Sequence, residues 1–564
     1  MRLLPLLCLA ATCLSAAGQP DFSGTWKLDG TDPPEIYLVE QSEAQLRIVM
    51  FVANDAGVRT LDVKGPIDGQ MHSQTVNGAP CVFTARWEGD TLYWETWRDP
   101  SEGVRHNRRF MQLSADGKVV TARRTRVAPG PEETWTEKWE KQDPPLTASH
   151  PTAFAAREMV NAPRAGRTAM DGAFARGALA AAFNDVPQLE RELLPIVREN
   201  PKAPQAEWAR TLLEVVYERN GQVRKALQYC DDRDRAFLEK LSRYPEPSVA
   251  HRDYARVQAA PGYGRTLILP LSAAGKDAAF QVDTGSSMSL IRLSEASRLG
   301  LKVEPVTKII RDVTGVDFEA HLAIVPSLSV GAMRLEHVPF WAVDDGRLRD
   351  VPGLLGIDLL LLFGTLRWNP DGVVEVGFPP QAKDMAQANL YFEGDRPIAE
   401  VSSNGQNGLS FYLDTGYTDT HLYVPFAHRF LDLMAAKGWQ TNYEMYGEAG
   451  HSTLRDLVVP EVTLGIGGVD TTLRNTPVLL EKAPDSSEWH YGRIGIDALN
   501  QAQTVTLDLQ AMRLTLTGLR TQRVGLTHFR FQLSARLHDL LMELLLVLGV
   551  FLALAFLRSR SECT

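Results

Sequence analysis

Between residues 20 and 143, apolar and polar positions alternate in short runs, among them IYLVEQ, QLRIVMFV, CVFTARWEG, DTLYWETWR and TWTEKWEK. A period of two puts every second side chain on one face, the pattern of a half-buried strand. Gly, Asn and Asp punctuate these runs, so about eight antiparallel strands forming a barrel or sandwich are expected over 19–145. From 150 to 255 the period changes. MDGAFARGALAAAF, VPQLERELLPIVREN and PQAEWARTLLEVVYERN carry apolar residues three and four apart, which predicts amphipathic helices. Asn184 and Asn220 fall at matching helix ends 36 residues apart (220 − 184), near the period of helix-turn-helix repeats. Barely two such units fit, so this stretch reads as a short spacer or docking platform. The strand pattern returns from 262 to 519.

Both chain ends carry apolar runs of another kind. MRLLPLLCLAATCLSAAGQ has one Arg, an apolar stretch and small residues, the layout of a signal peptide over 1–18. Cys13 leaves a lipoprotein reading open. Leu540 to Leu557 is a run of 18 residues whose one charge is Glu543, against the ~20 that cross a bilayer. A transmembrane helix at 538–558 is therefore expected, with a cytoplasmic tail at 559–564 and the body outside, periplasmic if the source is bacterial. A buried or amphipathic helix is the alternative.

Composition narrows the class. At 564 residues the chain exceeds one core, and 23% charged residues with 44% apolar is ordinary globular usage. A net charge of −10 without a basic run argues against nucleic acid as a partner. Cys8, Cys13 and Cys563 lie in the end segments, leaving Cys81 and Cys230 in separate regions, so no disulfide framework or zinc site is indicated. No metal or other cofactor is expected.

The region 262–519 repeats itself. LILPLSAAGKDAAFQVDTGSS is answered by IAEVSSNGQNGLSFYLDTGYT, and GLLGIDLL by GRIGIDAL. Asp283 and Asp414 stand 131 residues apart (414 − 283), and Gly356 and Gly495 stand 139 apart (495 − 356). Landmarks in one order with a slowly drifting offset mean a duplicated lobe, 262–380 and 388–519. The first copy resembles the retropepsin-like and pepsin-like aspartic proteases, in which an apolar strand enters Asp-Thr-Gly-Ser and an apolar-apolar-Gly stretch follows. The opening FSGTWKL of the N-terminal region resembles the Gly-x-Trp start of lipocalin-like barrels, which often hold an apolar ligand; Trp26 plugging a filled barrel is the alternative.

The protease resemblance implies an aspartic endopeptidase acting on peptides or proteins, with Asp283 and Asp414 as the catalytic dyad. Two neighbouring carboxyls share one proton because both cannot ionise comfortably, so one serves as base and the other as acid. It further implies that Thr284 and Thr415 cross-bond the two loops beside Gly285 and Gly416. Ser286 would donate to its aspartate, and Leu355–Gly356 and Ile494–Gly495 would orient the loops from beneath. Gly315 and Gly447, with Gly450, mark candidate flap tips. Copy two departs from the pattern: Tyr417 replaces a small residue, and Arg493 replaces an apolar one. Two other readings stay open: lobes that each pair with another chain, or an inactive protease-fold scaffold that binds a ligand or protein.

Overall fold

Among the described residues, ten strands rather than about eight build the N-terminal region. The computed structural model describes residues 19–520 except for short internal stretches, the longest being 142–168. Strands Gly24–Leu28 and His72–Val76 escape a reading by alternation because the first is short and the second has one apolar residue. The first strand pairs with the last, Glu133–Lys141, and most of the others follow as a meander. Trp26 is fully buried and its indole N–H donates to Phe22 O at 2.9 Å. Tyr37 stacks on Trp139 at 4.2 Å, and Arg109 lies 4.8 Å over the Trp94 ring. Phe22, Tyr37, Trp94 and Trp139 belong to one buried cluster with Trp26.

Among the described residues five helices follow, the principal ones Ala169–Ala182, Val186–Glu199, Pro204–Arg219 and Asp232–Leu241. Asn184 and Asn220 exchange amide hydrogen bonds at 3.0 and 2.8 Å, joining the two helix ends that their spacing had marked. The expectation of a membrane-spanning helix at 538–558 is corrected here. Among the described residues no helix is long and apolar enough to cross a membrane. Pro204–Arg219, with 16 residues, reaches only about 24 Å, short of a hydrocarbon core of ~30 Å. The segments 1–18 and 538–564 themselves lie outside the described residues.

The repeated lobes have matching topology. In the first, strand Lys276–Val282 delivers Asp283 and runs parallel to Gly353–Leu355, which is flanked on its other side by Leu290–Arg292. In the second, Gln406–Leu413 delivers Asp414 beside Gly492–Ile494, with His421–Leu422 on its far side. Each lobe extends a long hairpin, Val303–Arg311 with Asp317–Val330 and Trp439–Tyr446 with His451–Ile466. The stretch Leu390–Glu393 is an edge strand on Arg396–Ser403. A separate five-stranded sheet joins the lobes through Thr365–Trp368 and Ala502–Asp508, with Leu366 opposite Leu507. Contacts gather the chain up to Gly518 into one compact unit. The seam between the lobes is therefore internal to one chain.

Candidate active site

The two Asp-Thr-Gly loops meet at that seam. Thr284 N–H donates to Thr415 Oγ1, and Thr415 N–H to Thr284 Oγ1, both at 3.0 Å. Each threonine hydroxyl then donates across to the opposite strand end, Thr284 to Leu413 O at 2.6 Å and Thr415 to Val282 O at 3.0 Å. Both side chains are buried, so these four bonds are shielded from water. The glycines are needed for closeness. A Cβ on Gly285 would lie 2.4–2.5 Å from the Asp414 carboxyl, and one on Gly416 would lie 2.3–2.5 Å from that of Asp283. Each carboxyl thus sits over the glycine of the other loop.

Backbone groups position both carboxyls in the same way. Asp283 Oδ1 accepts from Gly285 N–H at 2.8 Å and Ser286 N–H at 3.2 Å. Asp414 Oδ1 accepts from Gly416 N–H at 3.0 Å and Tyr417 N–H at 3.1 Å. From beneath, Leu355 O accepts Asp283 N–H at 3.1 Å and Ile494 O accepts Asp414 N–H at 3.0 Å. A Cβ on Gly356 would come within 2.4 Å of Met288 C, and one on Gly495 within 2.8 Å of Asp419 C. These are direct contacts of backbone on backbone. One detail differs from expectation: the Ser286 hydroxyl turns away and donates to Met288 O at 2.7 Å.

A second repeated element went unread in the sequence. Ser289 Oγ donates to Asp358 Oδ1 at 2.8 Å and accepts Gly356 N–H at 3.1 Å. Thr420 Oγ1 donates to Asp497 Oδ1 at 2.6 Å and accepts Gly495 N–H at 3.0 Å. Ser289 and Thr420 stand 131 apart (420 − 289), as the aspartates do, which was the available signal. Burial raises Asp358 to about 6 and Asp497 to about 7, despite the hydroxyl and backbone donors on each.

Arg493 breaks the symmetry. Its Nη1 donates to Asp414 Oδ2 at 2.8 Å from a buried position. The guanidinium lies 5.0 Å over the Tyr417 ring. Burial alone would lower the proton affinity of Arg493, but Tyr423, Asp414 and Tyr417 raise it above the usual arginine range. Burial pushes Tyr423 up to about 12. Burial, then the charge of Arg493, pushes the His421 imidazole well below its usual range, so it is neutral behind the site. Tyr443 links this group, its hydroxyl 3.3 Å from that of Tyr417 and 3.2 Å from His421 Nδ1. The two unexpected residues of copy two are thus joined in one polar cluster.

Over the site the two hairpins meet. Gly315 sits in the left-handed region at φ 80°, inside a turn capped by Asp312, whose Oδ1 accepts from Thr314 N–H at 2.9 Å and Val316 N–H at 3.1 Å. A Cβ on Gly447 would lie 2.4 Å from Asp312 Oδ2, and one on Gly450 would lie 3.1 Å from Val316 Cγ2. Beneath the tips lies a cleft of about 970 Å³ that contains Asp283, Asp414, Arg493 and Gly447. Three exposed apolar side chains, Tyr263, Ile309 and Tyr446, also line it.

Two lobes of matching topology thus bring a pair of aspartates together beneath two hairpin tips. The family model for aspartyl protease matches residues 269–359, most of the first lobe. A retropepsin-like aspartic protease from Rickettsia conorii is similar over 24% of this chain and 95% of its own, at 19% identity and a TM-score of 0.18. No curated protein matches the chain.

Proposed function

We propose that this chain is an aspartic peptidase whose single active site is shared between its lobes, Asp283 from one and Asp414 from the other. The observation that carries this reading is the reciprocal Thr284–Thr415 lock, which sets each carboxyl over the other loop's glycine. Such a lock brings two acids close enough to hold one proton and one water between them. Asp414 faces Arg493, whose guanidinium stabilises its negative charge. Asp414 is therefore assigned the base and Asp283 the proton donor. Asp414 takes a proton from water, whose oxygen attacks the scissile carbonyl carbon, while Asp283 protonates the carbonyl oxygen. Collapse of the tetrahedral diol breaks the C–N bond, with a proton passing to the leaving nitrogen. The substrate is an extended peptide seated under the flaps.

The full chain, incubated with a random peptide library across pH, tests this against Asp283→Asn and Asp414→Asn. Each change alone should lower turnover by at least about 10³-fold, the scale of losing a general acid or base with its partner. Loss with Asp283→Asn alone would make the second lobe a structural copy. A wild type inert at every pH would favour the scaffold reading.

A further inference from the structure

The helical segment forms part of the cleft, and it does so by holding both lobes at once. At the end of Pro204–Arg219, two adjacent residues reach in different directions. Glu218 Oε1 accepts from Lys308 Nζ at 2.8 Å, and Lys308 belongs to the flap strand Val303–Arg311 of lobe one. Arg219 Nη1 donates to Gly394 O at 2.6 Å, in the first hairpin turn of lobe two, and its guanidinium lies 4.0 Å over the Phe392 ring. Asp234 approaches Lys308 to 3.5 Å, and Phe237 stacks on Trp341 of lobe one at 4.1 Å. Glu218, Arg219, Phe237, Lys308 and Gly394 line the same cleft as the two aspartates.

A bridge from the flap strand of one lobe to the hairpin turn of the other must cross a mouth of the groove between them. One anchor is half-buried, with Lys308 and Glu218 side chains 14% and 24% exposed, and the other is buried. Arg219 is 4% exposed, and separating such a charge from its partners is strongly unfavourable. An extended peptide advances roughly 3.3 Å per residue, so every residue beyond the wall would have to displace these packed helices.

We propose that the helical segment closes one mouth of the cleft, so that the enzyme takes peptides with a free end and cuts at a short, fixed distance from it. This rests on the aspartic peptidase reading and narrows its substrate class from peptides in general to chain ends. Asn220, Asp395 and Arg396 line the cleft beside Arg219 and Gly394.

The test uses one cleavable sequence, found in the library, in four forms: short linear, extended by about ten residues at one end, likewise extended at the other end, and cyclised head to tail. With the full chain, mass spectrometry should place the cut at a constant count from one terminus. Extension on that side should move the cut with the terminus, and cyclisation should lower kcat/KM by at least about tenfold, a discrimination of the size that steric exclusion from a pocket gives. The double variant Glu218→Ala, Lys308→Ala should narrow the linear-to-cyclic ratio. If that variant fails to fold, the wild-type ratio decides alone. Equal cleavage of cyclic and linear forms would overturn the proposal and leave the peptidase reading standing. Absence of any cleavage that Asp283→Asn abolishes would instead remove the peptidase reading.

Discussion

At the residue scale the consequential side chain is Arg493. It occupies a position where an apolar residue was expected and delivers a permanent cation to one carboxyl of the pair. A cation beside a site that must retain a proton makes that proton easier to lose. Groups around this site include Asp283, Asp414, Tyr412, Tyr417, Asp419, Tyr423, Tyr443, a second cation, Arg396, and the neutral His421. Removing the cation in Arg493→Gln should move the whole activity–pH profile to higher pH, while Arg493→Lys should leave it nearer the wild type. A profile unchanged in Arg493→Gln would make the arginine a packing residue only. Its thermal unfolding should be followed in parallel, since Asp414 loses its buried partner. Gly285 and Gly416 work by absence, because even one methyl at either would strike a carboxyl.

At the element scale the proposed flaps are two hairpins whose tips touch. Asp312 organises the first tip by accepting from Thr314 and Val316, and its other oxygen abuts Gly447 of the second. Asp312→Ala removes the cap but no cleft floor. The expected result is a several-fold rise in KM with a smaller change in kcat, as for a lid that closes less often. A drop in kcat at constant KM would mean that the tip acts on chemistry rather than on closure. The hairpins were legible in the sequence because strand, Gly turn and strand recur in both copies. Their mutual contact was not legible, since nothing in either hairpin marks a partner more than 130 residues away.

At the scale of the whole molecule, buried acids set how stability follows pH. Burial raises Asp358 to about 6, Asp456 to about 7 and Asp497 to about 7; burial and then Glu218, Asp231 and Asp234 raise Glu214 to about 7. Between the ordinary carboxyl range near pH 4 and these values, the folded chain holds protons that the unfolded chain has released. Stability therefore falls as pH rises through this window. His421 acts oppositely, because its folded form refuses a proton that the unfolded chain takes up below about pH 6.5. Four carboxyls outweigh one imidazole. Glu304 is lowered to about 2 by Lys240, Lys302 and Tyr244, so its contribution is lost only in stronger acid. Melting should therefore occur at a higher temperature at pH 5 than at pH 7.5, and Asp456→Asn with Asp497→Asn should flatten the difference. A higher melting temperature at pH 7.5 would contradict this assignment.

Local pattern in the sequence determined the alternation of strand and helix regions, the duplication of the lobe and the pairing of Asp283 with Asp414 as equivalent positions. Periodicity and repetition are properties of neighbours along a chain, and a sequence displays them directly. It did not show that the spacer walls the cleft, that Leu390–Glu393 joins a sheet, or that Arg493 reaches Asp414. Those contacts join residues far apart in sequence, and their partners carry no mark of one another. Only the tertiary structure brings Glu218 to Lys308, 90 residues on, and Arg219 to Gly394, 175 residues on. Burial then makes these distant charges consequential, because removing water strengthens each interaction and penalises each unmatched group.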